Sequence, residues 1–411
     1  MTNQVKHYFP WVIAILASLA LMTSNGMSIS GLSVFDESLL NEFGWNRGEL
    51  KFRDMVTLGV TGIAAPFLGV LLDRYGVRAC MIVGWILLGG AYYLYSQISN
   101  LSDLYFVHVI LGVVLILCGL NAGVILVSNW FVEKRGTAIG IALVGTSLGG
   151  AIFPQYGTAM IKAFGWSQAY LSEMVFPVIL LLLTIFMIRS KPADKGMLPY
   201  GGTVEAGTSH TDEGMEYGAA LKTVSFWALA TIASATFYSV LGVQAHIFLH
   251  MRDMEFSVQT ATNAISLFFL CALVGKFVFG LIADMIGPKR VFYLNITVMF
   301  AGAVALATMK PALLWGSVVA FGLGWGGVYT VLQLSAINCF GLKAAGKILG
   351  TITVMDAIGG GLGIWLTGVM YTNNQSYQLP FMIFCGLILV ALVAITQVRY
   401  PEQTTSGSAT S

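Results

Sequence analysis

The sequence predicts an all-α membrane protein of twelve transmembrane helices in two six-helix bundles, and three observations lead there. Of 411 residues, 57% are hydrophobic and 10% charged, with a mean hydropathy of +0.80, far from the balance of a water-soluble domain. Apolar stretches recur along the whole chain, each close to the roughly 20 residues needed to cross a hydrocarbon layer about 30 Å thick. An internal repeat divides those stretches six and six.

In chain order the first six spans run at about 10–38, 50–72, 79–97, 104–130, 137–162 and 166–188. The first is too long for a signal peptide and lacks a convincing cleavage site, so it counts as a helix. Residues 190–220, "SKPADKGMLPYGGTVEAGTSHTDEGMEYGAA", follow. They are rich in Gly, Ser, Thr and charge, cannot bury a core, and read as a linker. Six more spans come at about 224–250, 259–283, 289–308, 312–338, 347–371 and 376–398. The expected organisation is an N-terminal bundle over 1–189, a cytoplasmic linker over 190–220 and a C-terminal bundle over 221–411 with a short cytoplasmic tail.

The repeat is explicit. "GVLLDRYGVR" begins at Gly69 and "GLIADMIGPKR" at Gly280, so that Asp73 matches Asp284 and Gly76 matches Gly287. Gly136, Gly140, Gly149 and Gly150 recur 210 positions later as Gly346, Gly350, Gly359 and Gly360. In the first copy Gly76 permits a sharp turn, Asp73 can receive backbone donors at a nearby helix end, and Arg74 and Arg78 hold the loop at the membrane interface. Topological anchoring alone is the plainer account of those charges.

Basic residues fix the expected orientation. With the N-terminus inside, the inner face receives Lys6, Arg74, Arg78, Lys134, Arg135, Arg189, Lys191, Lys195, Lys222, Lys289, Arg290, Lys343, Lys347 and Arg399. The outer face receives Arg47, Lys51, Arg53, Lys162, Arg252 and Lys310, which leaves Lys276 alone within the membrane. This asymmetry places both termini in the cytoplasm, and the membrane is expected to be a bacterial inner membrane. The net charge of +2 points to no nucleic-acid partner. Cys80, Cys118, Cys271, Cys339 and Cys385 are scattered without metal-ligand spacing, so packing is their expected role.

With Gly69, Asp73, Arg74, Gly76 and Arg78 in place, the chain resembles the major facilitator superfamily over its whole length. A narrower resemblance, to the monocarboxylate porters and oxalate/formate antiporters, rests on two stretches. "NWFVEKRGTAIGIALVGTSLGG" is similar to their fifth-helix signature through Phe131, Lys134, Arg135, Ala138, Gly140, Ala142, Gly145 and Gly149. "NGMSISGLSVFDESLLNEFGWNRGEL" resembles their first helix and outer loop through Gly31, Val34, Phe35, Phe43, Gly44 and Trp45. The Asp-Gly-x-Trp-Gly-Trp opening of the animal carriers is absent, which points to the bacterial branch. The resemblance implies alternating access by rocking of the two bundles, with no enzymatic activity and no cofactor.

Lys276, in "LFFLCALVGKFVFGLIADMIGPKR", then becomes the central residue. An ammonium at the bilayer centre costs roughly 2.5–3.5 kcal/mol even on lenient scales. Its place lies about 12 Å of helix rise from Asp284, and a lysine stem reaches about half as far, so full escape to the interface is not expected. Asp356, nine residues after Lys347 on the eleventh span, sits at a matching depth. The resemblance makes the eighth and eleventh helices neighbours that line the cavity, and a Lys276–Asp356 pair is the expectation. It also puts Lys276 where those porters hold the substrate carboxylate with a basic residue. Lysine here replaces the usual arginine, and an acid stands where the oxalate exchangers carry a second lysine.

A mechanism follows from such a pair. An arriving monocarboxylate competes for Lys276, Asp356 loses its counter-ion, and proton uptake becomes favourable. By reciprocal linkage the proton tightens anion binding, so proton symport of a small organic anion is expected, with Asp356 as the coupling residue. A purely structural pair is the alternative. Asn25, Asn121, His246, Tyr329 and Gln333, with Gln244, are further candidates for contact with substrate. Arg53 reads as a gate residue satisfied by Asp54 or solvent, and Glu173 as interfacial.

Other functions have less support. "GLKAAGKI" at 341–348 ends in isoleucine and follows a helix, so it is no nucleotide loop. Organic-anion exchange, export of amphipathic compounds and non-transporting solute sensing stay open. A wide aromatic cavity without a Lys276–Asp356 contact favours export, and a narrow one converging on Lys276 favours small carboxylates.

Overall fold

The computed structural model describes residues 3–202, 214–341 and 343–400. The first rod is a broken one: α1 (Asn3–Asn25), a π turn (Gly26–Ser30), a 3₁₀ turn (Leu32–Phe35) and α2 (Asp36–Phe43). Next comes α3 (Arg47–Tyr95), opened by a capping box in which Asn46 and Glu49 bond reciprocally. Gly76 breaks α3 with φ +77° and ψ 156°, so it counts as two spans. α4 (Leu101–Cys118) and α5 (Leu120–Trp130) form the fourth rod, α6 (Arg135–Phe164) the fifth, and α7 (Trp166–Glu173) with α8 (Val175–Phe186) the sixth.

After a short α9 (Tyr217–Ala220), the second bundle comprises α10 (Val224–Asp253), α11 (Val258–Ile286), α12 (Pro288–Ala307), α13 (Pro311–Phe340), α14 (Ala345–Asn374) and α15 (Gln378–Gln397). Among the described residues, eleven helical segments meet the length and apolarity needed to cross a membrane; the first part of α3 supplies the twelfth rod. The expected twelve-helix architecture is present. Gly287 turns α11 into α12 with φ +86° and ψ 151°, nearly the torsions of Gly76. The repeat thus carries a matched backbone event that only glycine adopts without strain.

Small residues set the helix spacing. A Cβ on Gly145 or Gly149 of α6 would overlap the carbonyls of Ser18 and Met22 on α1. One on Gly359 or Gly363 of α14 would overlap those of Ser234 and Tyr238 on α10. Such contact is how helices associate without a hydrophobic driving force. Gly145→Ala is therefore expected to lower the thermal midpoint, by an overpacking cost of about 1–3 kcal/mol. Gly140→Ala, whose Cβ would meet nothing within 4 Å, leaves it unchanged or raises it. A fluorescence melt of both variants checks this, and equal midpoints would sink the close-approach account.

The described ends of the linker dock at matched places. Tyr200 N–H donates to the Trp130 carbonyl (2.8 Å), and Met215 N–H donates to the Phe340 carbonyl (2.7 Å), 210 positions further on. This side is called the linker face below, and the opposite one the far face.

Candidate functional site

A cavity of about 270 Å³ lies between the bundles. It reaches down to Leu349, about one turn from the linker-face end of α14. Its walls are mainly apolar and aromatic, with Phe237, Phe269, Trp325 and Tyr329 prominent, and its two charged side chains are Lys276 and Asp356.

The far half is closed by contacts between the bundles. Arg47 makes a two-pronged ion pair with Asp253 (2.7 and 2.6 Å), donates to Tyr377 Oη (2.7 Å) and stacks over Tyr371. Arg252 pairs in the same way with Glu37 (2.8 and 2.9 Å). On the other seam Gln155 bonds Asn263, Ser266 and Gln259, and Thr158 bonds Thr262 at 2.8 Å.

Lys276 lies on α11, about 15 Å of helix rise from its linker-face end. Gly326 of α13 packs where a Cβ would overlap the Ala272 carbonyl and crowd the Lys276 amide. This close approach brings Tyr329 of α13 beside the lysine, while Trp325 packs on Phe268 and Phe269 nearer the far end of α11. The ammonium reaches across to the first bundle and donates to Thr146 Oγ1 (2.9 Å) and Ser147 Oγ (3.0 Å), with the Tyr329 ring 5.5 Å away. Thr146 can accept because its own hydroxyl proton goes to the Leu143 carbonyl.

The expected Lys276–Asp356 ion pair is not made. Asp356 faces the same cavity, yet its Oδ1 is buried with no hydrogen-bond partner among the described residues. The repeat explains the separation: 210 positions before Asp356 lies Thr146. Lys276 therefore binds the counterpart of Asp356, across the seam between α11 and α6. Asp356 sits on the other seam, between α14 and α3, where Gly62 lies against Ala357 and Gly361 against Met55.

Asn25, Asn121, Tyr329, Gln333 and Gln244 all line the cavity, as expected. Asn25 donates to the Leu21 carbonyl, a bond within its own helix. His246 is a correction: it is fully buried outside the cavity lining, with its ring nitrogens at 3.1 Å from Tyr377 Oη and 2.9 Å from the Ile364 carbonyl. Packing against neighbours already satisfies it. Lys276 is also not the sole buried cation. Lys51 and Arg53 are at most 1% exposed and both pair with Asp36 at 2.5 Å. Glu173, expected at the interface, is buried, and its Oε1 has no hydrogen-bond partner among the described residues.

Of the turn motif, Arg78 ties its loop to the end of α8 by donating to the carbonyls of Thr184 (3.4 Å) and Ile185 (2.5 Å). Its backbone N–H donates to Ser190. Arg74 lies over Tyr75. Gly69 falls within α3; the side chains of Asp73 and Asp284 lie outside the described set.

Sequence reasoning missed Thr146, Ser147 and Trp325. Trp325 lines the cavity with its buried Nε1–H lacking an acceptor among the described residues. Thr146 was findable as the repeat counterpart of Asp356; nothing in the sequence singles out Trp325 from other aromatics. No group of three or more His, Cys, Asp or Glu able to hold a metal occurs among the described residues.

The family model of the Major Facilitator Superfamily matches residues 15–364 and 228–411. The chain is 22% identical over 384 residues to the oxalate:formate antiporter of Oxalobacter formigenes, covering 89% of each. It is 21% identical over 350 residues to the fujikurins efflux protein of Gibberella fujikuroi, covering 82% of this chain and 71% of that one. A bacterial homologue of the human lysosomal transporter Spinster, solved in an inward-facing and occupied conformation, has the same fold. Its TM-score is 0.72 at 13% identity, over 93% of this chain and 95% of that one.

Proposed function

Because this chain belongs to the Major Facilitator Superfamily and is a transporter, we propose that it moves a small organic anion, a monocarboxylate, together with a proton by alternating access. One observation carries the reading: Lys276 faces the cavity held only by two neutral hydroxyls, with no carboxylate partner among the described residues. A buried cation lacking a counter-ion is what an anion would complete. Trp325 Nε1–H, without an acceptor among the described residues, adds a second donor to the lining of the same cavity.

The missing ion pair changes how coupling works. The anion neutralises Lys276 on one seam, and a proton neutralises Asp356 on the other. Only with both loaded does the cavity close over no bare charge, and a bare buried charge costs several kcal/mol. The closed far half and the cavity reaching toward the linker face support an inward-open state. The excess of basic residues on the linker face supports a cytoplasmic location for it.

Asp356→Asn is expected to retain anion exchange in proteoliposomes while losing uphill, pH-driven accumulation across a panel of labelled monocarboxylates. Unaltered accumulation would refute the coupling role. A second reading, export of amphipathic compounds, draws on the aromatic walls and the absent ion pair. Accumulation of an aromatic amphiphile, with no monocarboxylate moved, would favour it.

A further inference from the structure

The far half holds a second group of charges that anion binding leaves unused. Asp36 on α2 is claimed by Lys51 and Arg53 at 2.5 Å each, and all three are essentially without solvent contact. Asp54 is held differently. Its nearest cationic atoms are Arg53 Nε at 3.7 Å and Lys51 Nζ at 3.9 Å, beyond hydrogen-bond reach. Asp54 borders an enclosed void of about 10 Å³ whose other polar lining is Ser33, Lys51 and Gln244. That is about the space and the partners that one water needs. Gln244 and Ile29 line this void and the central cavity alike, so the two are neighbouring spaces.

The ionisable groups facing Asp54 are Lys51 and Arg53 on its own helix, Asp36 on α2, and Tyr95 at the end of α3. His246 of α10 faces Lys51 from the second bundle. His108 of α4 is engaged by Thr57 and Tyr95. Arg47, which makes the far-face ion pair with Asp253, lies one turn before Lys51 on the same helix face.

We propose that Asp54 is a proton-binding site, reached from the central cavity past Gln244 through one water in the void, and that its protonation loosens the far-face seal. A hydronium in the cavity gives a proton to the water in the void, which passes one to an Asp54 carboxylate oxygen, so one O–H bond forms for each that breaks and only neutral water is left behind. With Asp54 neutral, Lys51 and Arg53 share the single charge of Asp36, and a net positive charge is left sealed from water. Opening the far half hydrates Lys51 and relieves it. By linkage, acid shifts the population toward the far-open state, and closing the seal favours proton release. The inference needs the transport fold but not the anion assignment.

The test uses the full-length protein in liposomes and no substrate. Thr262→Cys, buried in the seal against Thr158, is labelled with a maleimide. Labelling is read by mass spectrometry at residue 262 and normalised to the exposed Glu42→Cys. Adding Asp54→Asn is expected to raise normalised labelling at neutral pH about tenfold, a population shift that acid also produces in the parent protein. In Asp54→Asn labelling no longer changes with pH. Gln244→Leu, which removes the shared amide, slows the response to a pH jump. The proposal is overturned if Asp54→Asn keeps the parent's pH response or if the parent has none. Should Asp54→Asn not fold, the parent's pH profile and the Gln244→Leu rate decide. An unchanged rate excludes the path through the void.

Discussion

Lys276→Gln is expected to raise the half-saturation concentration for counterflow of organic anions by at least about 100-fold; this corresponds to about 3 kcal/mol, typical of a charged partner lost from a desolvated site. Glutamine keeps most of the side-chain volume and a polar end while the charge is lost. The same change is expected to raise the thermal midpoint, since it removes an ammonium that has no counter-ion among the described residues. Loss of transport with a gain in stability separates a binding role from a structural one. Thr146→Val, which removes one of two hydroxyl acceptors and keeps the charge, is expected to cost only a few-fold. Counterflow in proteoliposomes with a thermal melt of the same preparations measures both quantities. Wild-type affinity in Lys276→Gln would leave the carrier fold without the carboxylate assignment.

The second large effect lies in the far half. Asp36→Ala strips Lys51 and Arg53 of their close carboxylate at positions with at most 1% exposure. Breaking a buried pair from one side costs about 3–5 kcal/mol, so the variant should melt at a clearly lower temperature or fail to reach the membrane folded. Asp54 cannot compensate, because it stands 3.7 Å from Arg53 and 3.9 Å from Lys51. Asp54→Asn is expected to destabilise much less, and equal losses for the two variants would contradict the unequal grip of the cations.

The architecture was legible because membrane helices announce themselves by length and apolarity, and because Gly76 and Gly287 mark equivalent turns in two copies. Depth along a helix was legible as well, and it brought Lys276 and Asp356 correctly into one cavity. Rotation about the helix axis was not. Rise fixes height, whereas the partner of a side chain depends on which seam its helix face meets, and the two charges face different seams. Arg53 and Glu173 were misplaced for a related reason. Position near a helix end suggested water, but Phe35 and Tyr170 stack there at 4.0 Å and help seal the bundle's far end. His246 was open to either reading, and an aromatic hydroxyl from Tyr377, a residue in the short turn before α15, decided it.

The paired Thr146 and Asp356 have an evolutionary corollary. A duplicated scaffold offers two equivalent addresses for chemistry, and here one carries a hydroxyl that serves a cation while the other carries a solitary acid. Each address can mutate without disturbing its twin or the glycine contacts that hold the rods together. New specificities can thus arise from single-site edits at one address, with the hinge machinery inherited intact.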